Sequence, residues 1–396
     1  MMKTSFKSWI VCTAGFVLML LAGPGISATS CVPIGRWALV EPSGAHTVSD
    51  ADLFARLARE SVVLLGERHD NPDDHRWQLQ TLSALHTSHP DMVLAFEMFP
   101  RKDQPLLDRW VAGELGETEF LAAVDWQKLW NVDAQFYLPL FHYARMNRIP
   151  MQALNVDQAL VREIRLKGFD GVPADKREGI SRPAAAAGPY LDFLFTAYAE
   201  HQRASDKPKA GRHDPDFQHF VEAQQFWDRA MAQGIAAARS RNPAALVVGI
   251  MGKGHVERGF GVPSQLANLG VGKVASLLPW EAAGDCSDMV PGYAYAVFGM
   301  APPAHSPEVQ KPRLGVQVED VAEGVRIIKV TKGSVADVAG MRDGDVVAEA
   351  AGIAVRQYPD LITVVQRQAH GTWLPLKIKR HGESLDLVAK FPPLAP

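Results

Sequence analysis

Val62-Val63-Leu64-Leu65-Gly66-Glu67-Arg68-His69-Asp70-Asn71-Pro72 is an apolar run that stops abruptly on charge. Consecutive aliphatic residues without alternation read as a strand buried on both faces, as in a parallel sheet covered by helices. Similar runs recur at Met92–Phe99, Ile149–Asn155, Ala245–Met251, Lys273–Leu278 and Tyr293–Phe298. Longer amphipathic stretches separate them. One spans Asp73–Ser88 with Trp77, Leu82 and Leu85 on one side, and another spans Asp157–Lys167, begun by Asp157 and stopped by Gly168. This alternation predicts an α/β fold with a mainly parallel sheet and helices on both faces. Gly171–Asp216 is longer than a crossover needs and rich in Pro, Ala and Gly, so it is expected to be a helical insertion, where lids and binding loops are commonly built.

The length of 396 residues favours two domains over one core. Met300–Pro312 holds four prolines and no periodicity, which marks a linker. The first domain is therefore expected at 37–299, and residues 313–395, with short strands and Gly-containing turns, at a small α+β domain. With 47% hydrophobic and 21% charged residues, the chain has the composition of a soluble globular protein. A formal charge of −3 provides no strong basic field, so nucleic acid is not an expected partner.

Lys3 and Lys7 precede an apolar stretch from Trp9 to Ala22, followed by Gly23-Pro24-Gly25, Ser27 and Ala28. This is the layout of a signal peptide over 1–28, its apolar run shorter than the roughly 20 residues that span a bilayer. Periplasm or cell envelope is the expected location. Ala28-Thr29-Ser30 before Cys31 makes a poor lipid-attachment motif, so lipoprotein anchoring through Cys31 is the lesser alternative. Cys12 would leave with the signal, and Cys31 and Cys286 remain either as a disulfide or as separate thiols.

Ligands of open parallel sheets collect beyond the carboxyl ends of the strands. Strand ends here would deliver Glu67, His69, Glu97, Asn155 and His255 to one edge, with Lys253 beside them. Carboxylates and imidazoles so gathered suit a divalent transition metal held by Glu67, His69, Glu97 and His255, or acid and base work by the same four residues on a water. Asp70, Asp73 and Asp74 are candidates for orienting a ligating histidine. Lys253 suits a carboxylate or propionate. The plain structural alternative is that these residues cap strands and pair locally. At an open edge, Glu67 and His255 are expected to be replaceable with little loss of stability.

Leu65-Gly66-Glu67-Arg68-His69-Asp70-Asn71-Pro72 with His75 and Gln78, Phe96-Glu97-Met98, Ala153-Leu154-Asn155, Ala223-Gln224 to Asp228, Met231-Ala232, and Gly252 to Val256 followed by Gly261-Val262-Pro263 together resemble the ChaN family. That family lies within the wider Tiki and erythromycin esterase superfamily, similar to this chain in having two Gly-x-x-His motifs, here Gly66 to His69 and Gly252 to His255. The resemblance spans roughly Trp37 to Pro279. It implies a haem-binding envelope protein of iron uptake, a homodimer around paired haems, a tyrosine on the iron, and a histidine and lysine on propionates. His255 and Lys253 match the latter pair. For the tyrosine, Tyr190 and Tyr198 in the insertion, or Tyr137 and Tyr143, are all open.

Arg313-Leu314-Gly315-Val316, Gly333-Ser334-Val335-Ala336, Ala339-Gly340-Met341 and Asp343-Gly344-Asp345-Val346-Val347 resemble a bacterial PDZ domain of the envelope-protease type. Such a domain adds a peptide as an extra strand and takes its terminal carboxylate on backbone amides, here at Leu314, Gly315 and Val316. The leading expectation is a non-enzymatic haem or iron-complex handler whose PDZ domain binds a peptide C-terminus or an envelope protein. A metal-dependent peptidase or esterase is the alternative, and a PDZ adaptor with an inactive scaffold the third. The signal reading predicts that intact-mass analysis of exported protein finds a chain starting near residue 29; an intact Met1 would contradict it.

Overall fold

The computed structural model describes residues 31–203, 211–282, 284, 286–302 and 312–393, with side chains 201–203 excepted. The proposed signal peptide and most of the proposed linker lie outside the described residues. The chain divides into two compact units at Pro302 and Pro303. Among the described residues, no helix is long and apolar enough to cross a membrane.

The first unit contains strands β1 (Trp37–Glu41), β2 (Gly44–Val48), β3 (Val62–Glu67), β4 (Met92–Pro100), β5 (Met151–Asn155), β6 (Leu246–Gly252), β7 (Val274–Glu281) and β8 (Ala296–Met300). They form one sheet in the order β2-β1-β8-β7-β3-β6-β4-β5. From β8 to β5 all neighbours are parallel, while β1 runs antiparallel to β8 and forms a hairpin with β2. Every residue of β3, β4 and β6 is buried. Their unbroken hydrophobicity has that cause, because apolar clusters cover both faces of the sheet.

Helix α1 (Pro72–Ser88) starts where Asn71 accepts from the amides of Asp73 and Asp74 and Pro72 needs no donor. Helix α2 (Gln158–Lys167) is capped by Asp157, whose side chain accepts from the Ala159 amide, and ends at Gly168 with φ +75°. The insertion contributes helix α3 (Gly188–Arg203), with residues 204–210 outside the described set. It leads to helix α4 (Pro215–Arg241), which packs against β5 and α2.

Three features depart from the sequence expectation. The hairpin β1–β2 extends the sheet beyond the expected strands, because each of its strands is only five residues long. The last strand begins at Ala296 rather than Tyr293, since Tyr293 still belongs to a turn that bonds its amide to the Val290 carbonyl. Met300, assigned above to the linker, is a strand residue whose carbonyl accepts from the Ala282 amide.

The second unit is an antiparallel sheet of β9 (Val316–Val321), β10 (Gly324–Val330), β11 (Val346–Ala350), β12 (Ile353–Ala354), β13 (Trp373–Arg380) and β14 (Glu383–Lys390). Its order is β14-β13-β11-β10-β9, with β12 beside β11, and helix α5 (Tyr358–Gln366) packs on β9. One edge of β9 therefore faces away from the sheet.

Gly66, the last residue but one of β3, is fixed by packing. A Cβ on Gly66 would meet the Leu278 side chain, approach Val256 Cγ2 to 2.7 Å and crowd the Lys253 backbone at 3.1 Å. Gly66→Ala is expected to destabilise by about 1–3 kcal/mol through overpacking. Gly254→Ala, which meets nothing within 4 Å, is expected to stay near wild type. Denaturant midpoints of the two variants check the contrast.

Candidate functional site

Parallel register sets Glu67 at the end of β3 opposite Gly252 at the end of β6, with β4 on the other side of β6. Glu67 and Glu97 are both buried there, at 1% and 0% exposure. A carboxylate out of water stays charged only if hydrogen bonds and cations compensate.

For Glu67 the compensation comes from α1 and the segment before it, together with the helix over 134–146 that carries Tyr137. Oε1 accepts from the Tyr137 hydroxyl at 2.5 Å and lies 2.9 Å from His69 Nδ1. Oε2 lies 3.2 Å from His75 Nδ1, close enough for attraction but not aligned as a hydrogen bond. His75 Nε2 donates to the His69 carbonyl at 3.0 Å, so a second proton on Nδ1 would face Glu67. Burial raises the Glu67 pKa, yet His69, His75 and Tyr137 outweigh it and hold the group at about 2. Burial opposes charge on His69 and His75 as well, and Glu67 still raises both.

Glu97 is served from β6 and α4. Its Oε2 accepts from the Gly252 amide at 2.6 Å, and its Oε1 lies 3.3 Å from His255 Nε2. The other ring nitrogen of His255 is 2.6 Å from Asp228 Oδ1, and Asp228 Oδ2 accepts from the Tyr190 hydroxyl at 2.7 Å. Burial disfavours the His255 cation, but Glu97 and Asp228 together push its pKa up to about 10. Burial raises Glu97, and the His255 cation more than offsets this, so its pKa is lowered.

The two halves meet at His69. A Cβ on Gly252 would stand 2.9 Å from His69 Cε1, 3.0 Å from its Nε2 and 3.6 Å from Glu97 Oε2. Gly252 is thus the floor on which the His69 ring lies, as Gly66 admits the turn that follows β6. His69 side chain is 38% exposed, and among the described residues its Nε2 has no hydrogen-bond partner. It is the member of the cluster that reaches solvent.

Several sequence expectations are revised. Asn155 donates from Nδ2 to the Glu97 carbonyl and accepts the Val156 amide, so it braces the β4 backbone. Asp74 binds Arg68 and Asp73 binds Arg76, and Glu67 itself orients His69. Among the described residues, no group of three or more His, Cys, Asp and Glu side chains is placed to hold a metal, so Glu67, His69, Glu97 and His255 converge as carboxylate–imidazole pairs. His255 is clamped between the Glu97 and Asp228 carboxylates, so a propionate would have to displace one of them. Tyr190 is buried with its hydroxyl donated to Asp228; burial first, then Asp228, raises its pKa, the reverse of a tyrosinate. Tyr198 is enclosed in the small α3–α4 cluster with Leu194, Phe217 and Val221. Glu67 and His255 are core residues, which overturns the expectation that their removal spares stability.

Beside the cluster is an open cleft of about 440 Å³, lined by Arg68, Lys253, Glu257, Arg258, Pro279, Trp280, Glu281, Gly284, Asp288 and Tyr293. Arg68 is committed to Asp74 and Glu281. Lys253 and Arg258 have no salt-bridge partner among the described residues, and the Arg258 guanidinium lies 5.8 Å from the centre of the Tyr293 ring. Trp280 meets Tyr293 edge-on at 5.5 Å. Cys286, between two cleft-lining residues, forms a disulfide with Cys31 across a Cα separation of 5.7 Å.

Asp228→Ala would leave the His255 cation with Glu97 alone; removing one partner of a buried pair is expected to cost about 3–5 kcal/mol. The pH dependence follows from the signs. Stability owed to the His255 cation is complete below its ordinary 6.5 and is lost as pH rises toward about 10. Stability owed to Glu67 is complete above its ordinary 4.5 and is lost as pH falls toward about 2. Chemical denaturation across pH should place the maximum between those limits, with Asp228→Ala flattening the alkaline limb.

Comparison with known proteins agrees with this architecture. Residues 53–266 match the profile described as haem-binding uptake, Tiki superfamily, ChaN, and residues 312–390 match the PDZ domain. The structure of ChaN from Campylobacter jejuni with cofacial haem is similar in fold, at 18% identity and a TM-score of 0.52, covering 67% of this chain and 98% of that one. The HtrA-type protease AlgW with a decapeptide is 19% identical over 22% of this chain and 30% of its own, at a TM-score of 0.20. The HtrA3 PDZ domain bound to a phage-derived ligand is 19% identical over 20% of this chain and 84% of its own, at 0.19. Among curated proteins none matches. The chain belongs to the ChaN family of haem-binding uptake proteins in the Tiki superfamily, and carries a PDZ domain after it.

Proposed function

We propose that this protein binds haem at the cleft beside β3, β6 and β7, as an exported envelope protein of iron handling. The observation that carries the reading is the pair Lys253 and Arg258, which make no salt bridge among the described residues and stand beside the rings of Trp280 and Tyr293. The lining suits haem through two cations for its propionates, with the largely buried rings of Trp280 and Tyr293 bordering the cleft. Bound haem would supply an iron centre, and Tyr293 is the tyrosine that lines this cleft. Burial, then Glu257, raises the Tyr293 pKa, so a cationic partner is needed before its oxygen gives up a proton. The PDZ unit serves as a capture module for a peptide C-terminus. Support comes from the open edge of β9 and from Leu314 and Gly315, whose carbonyls are fixed by the Ala336 and Thr331 amides while Gly315 adopts φ +80°. A homodimer, as the family resemblance implies, belongs to the same proposal.

A second reading rests on His69. Its Nδ1 is held by Glu67 while Nε2 reaches solvent, the arrangement of an imidazole able to take a proton from water attacking an ester or peptide. Glu97 and His255 would then flank the reacting atoms.

Titrating the purified full chain with hemin distinguishes the two. The haem reading expects a Soret shift, and Lys253→Ala with Arg258→Ala should weaken binding about tenfold or more, the scale of losing charge-assisted contacts. Tyr293→Phe should alter the ferric charge-transfer absorption with less effect on affinity. Absence of any Soret shift, together with ester or peptide turnover abolished by His69→Ala, would replace the haem reading with the hydrolytic one.

A further inference from the structure

The wall of the cleft is built differently from its floor. Arg68, Lys253 and Trp280 stand on or directly after sheet strands, whereas Gly284, Asp288 and Tyr293 come from the connection between β7 and β8. That connection has one turn of 3-10 helix, Cys286–Asp288, as its regular structure. Among the described residues, its backbone hydrogen bonds between Glu281 and Val290 are short-range apart from Ala282 to Met300: Gly284 to Glu281, Met289 to Cys286 and Val290 to Asp288; Tyr293, by contrast, is tied to the turn after β6, its carbonyl accepting from the Arg258 amide. Chain with such bonding has low local stability unless something outside it holds it.

The other end of the disulfide is anchored firmly. Cys31 is followed by Val32, which is fully buried in the cluster that contains Met289, Tyr293 and Trp280. Ile34 bridges to Gly299, and Gly35 and Gly299 exchange backbone bonds with Gly299 and Arg36. A Cβ on Gly299 would collide with the Pro33 carbonyl, so this docking is close. The bond thus joins a segment packed on β8 to the exposed turn Cys286–Asp288 of the cleft wall. Cys286 is solvent-exposed, where an attacking thiolate can reach it.

We propose that the Cys31–Cys286 disulfide is a redox-sensitive lock on the cleft wall, holding the exposed Cys286–Asp288 turn, and with it Asp288, at the cleft in the oxidised protein and releasing it on reduction. The reductant is a dithiol. One of its thiolates attacks a sulfur of the bond to form a mixed disulfide, and its second thiolate displaces the protein thiolate. Two electrons pass to the protein, which takes up two protons as Cys31 and Cys286 become thiols, and the reductant leaves as a disulfide. The ligand-binding consequence rests on the haem reading above, but the lock itself does not.

Hydrogen exchange on the full chain, oxidised and then reduced in place with dithiothreitol, tests it. The amides of Met289 and Val290 are expected to exchange at least about tenfold faster after reduction, while β3 and β6 amides hold their rates and reoxidation restores protection. Cys31→Ser with Cys286→Ser should match the reduced state. Unchanged exchange at Met289 and Val290 overturns the proposal, as does equal acceleration throughout the sheet, which would make the bond a global staple. Hemin titration of both states is the second readout, expected to show weaker binding when reduced. If the oxidised protein takes up no hemin the haem reading fails, and the exchange result still decides the lock; equal hemin affinity in both states alongside a loosened wall would overturn its control of the cleft.

Discussion

Two carboxylates sit where a sheet of this kind can least tolerate charge, and the surrounding structure compensates them. Glu67 and Glu97 are more than nine-tenths buried, on strands separated only by β6. Left alone, either would protonate, because ionisation in a poorly solvated site is far more expensive than a shifted pKa. Instead Glu67 receives His69, His75 and Tyr137, and Glu97 receives the Gly252 amide and His255, which Asp228 holds from behind. Carboxylates 67, 97 and 228 face imidazoles 69, 75 and 255, so charge balances when the histidines are protonated. A buried balanced cluster contributes little net stability against an apolar core of equal volume. Its cost is tolerable because Glu67 Oε2 and Glu97 Oε1, which accept no hydrogen bond, still lie 3.2 Å and 3.3 Å from imidazole nitrogens, and it makes this edge intolerant of any single loss.

That constraint explains the glycines. Both Gly-x-x-His motifs place a glycine at the end of a strand and a histidine three residues on. Gly66 must lack a side chain for the turn after β6 to close over β3, and Gly252 must lack one for the His69 ring to lie beside Glu97. A larger residue at either position would separate the two carboxylate–imidazole systems.

Much of this was legible in sequence because strand ends announce themselves. The runs ending at Glu67 and Gly252, and the one holding Glu97, are apolar on both faces, so a charge at the end has few explanations other than a site or a pair. Tyr137 and Asp228 end no strand and entered the sequence reading only through the family resemblance. Both lie inside helices whose surroundings are largely buried, where polar side chains look like ordinary members of a solvated stripe. Asn155 misled for the opposite reason: it does end a strand, but its amide turns back onto the Glu97 carbonyl. The cleft was the least visible feature. Arg258 occupies a left-handed position, φ +62°, in a turn, and Tyr293 lies in a connection rather than in the strand assigned to it, so neither stands at a position that periodicity identifies.

The cluster and the cleft differ in the one respect that matters for an anionic ligand. Inside the cluster every cation already faces a carboxylate, and the His255 proton is held so tightly that its pKa is pushed up to about 10. An entering carboxylate would compete with Glu97 or Asp228 and leave one of them uncompensated, a loss of several kcal/mol by the usual scale for broken buried pairs. Outside it, Lys253 and Arg258 make no salt bridge among the described residues, and Glu257 nearby is a weak competitor, since burial raises its pKa despite both cations. On the proposed haem reading, an anion with an aromatic body is therefore favoured at the cleft over the cluster, where His69 alone has a partly exposed side chain and every imidazole already faces a carboxylate.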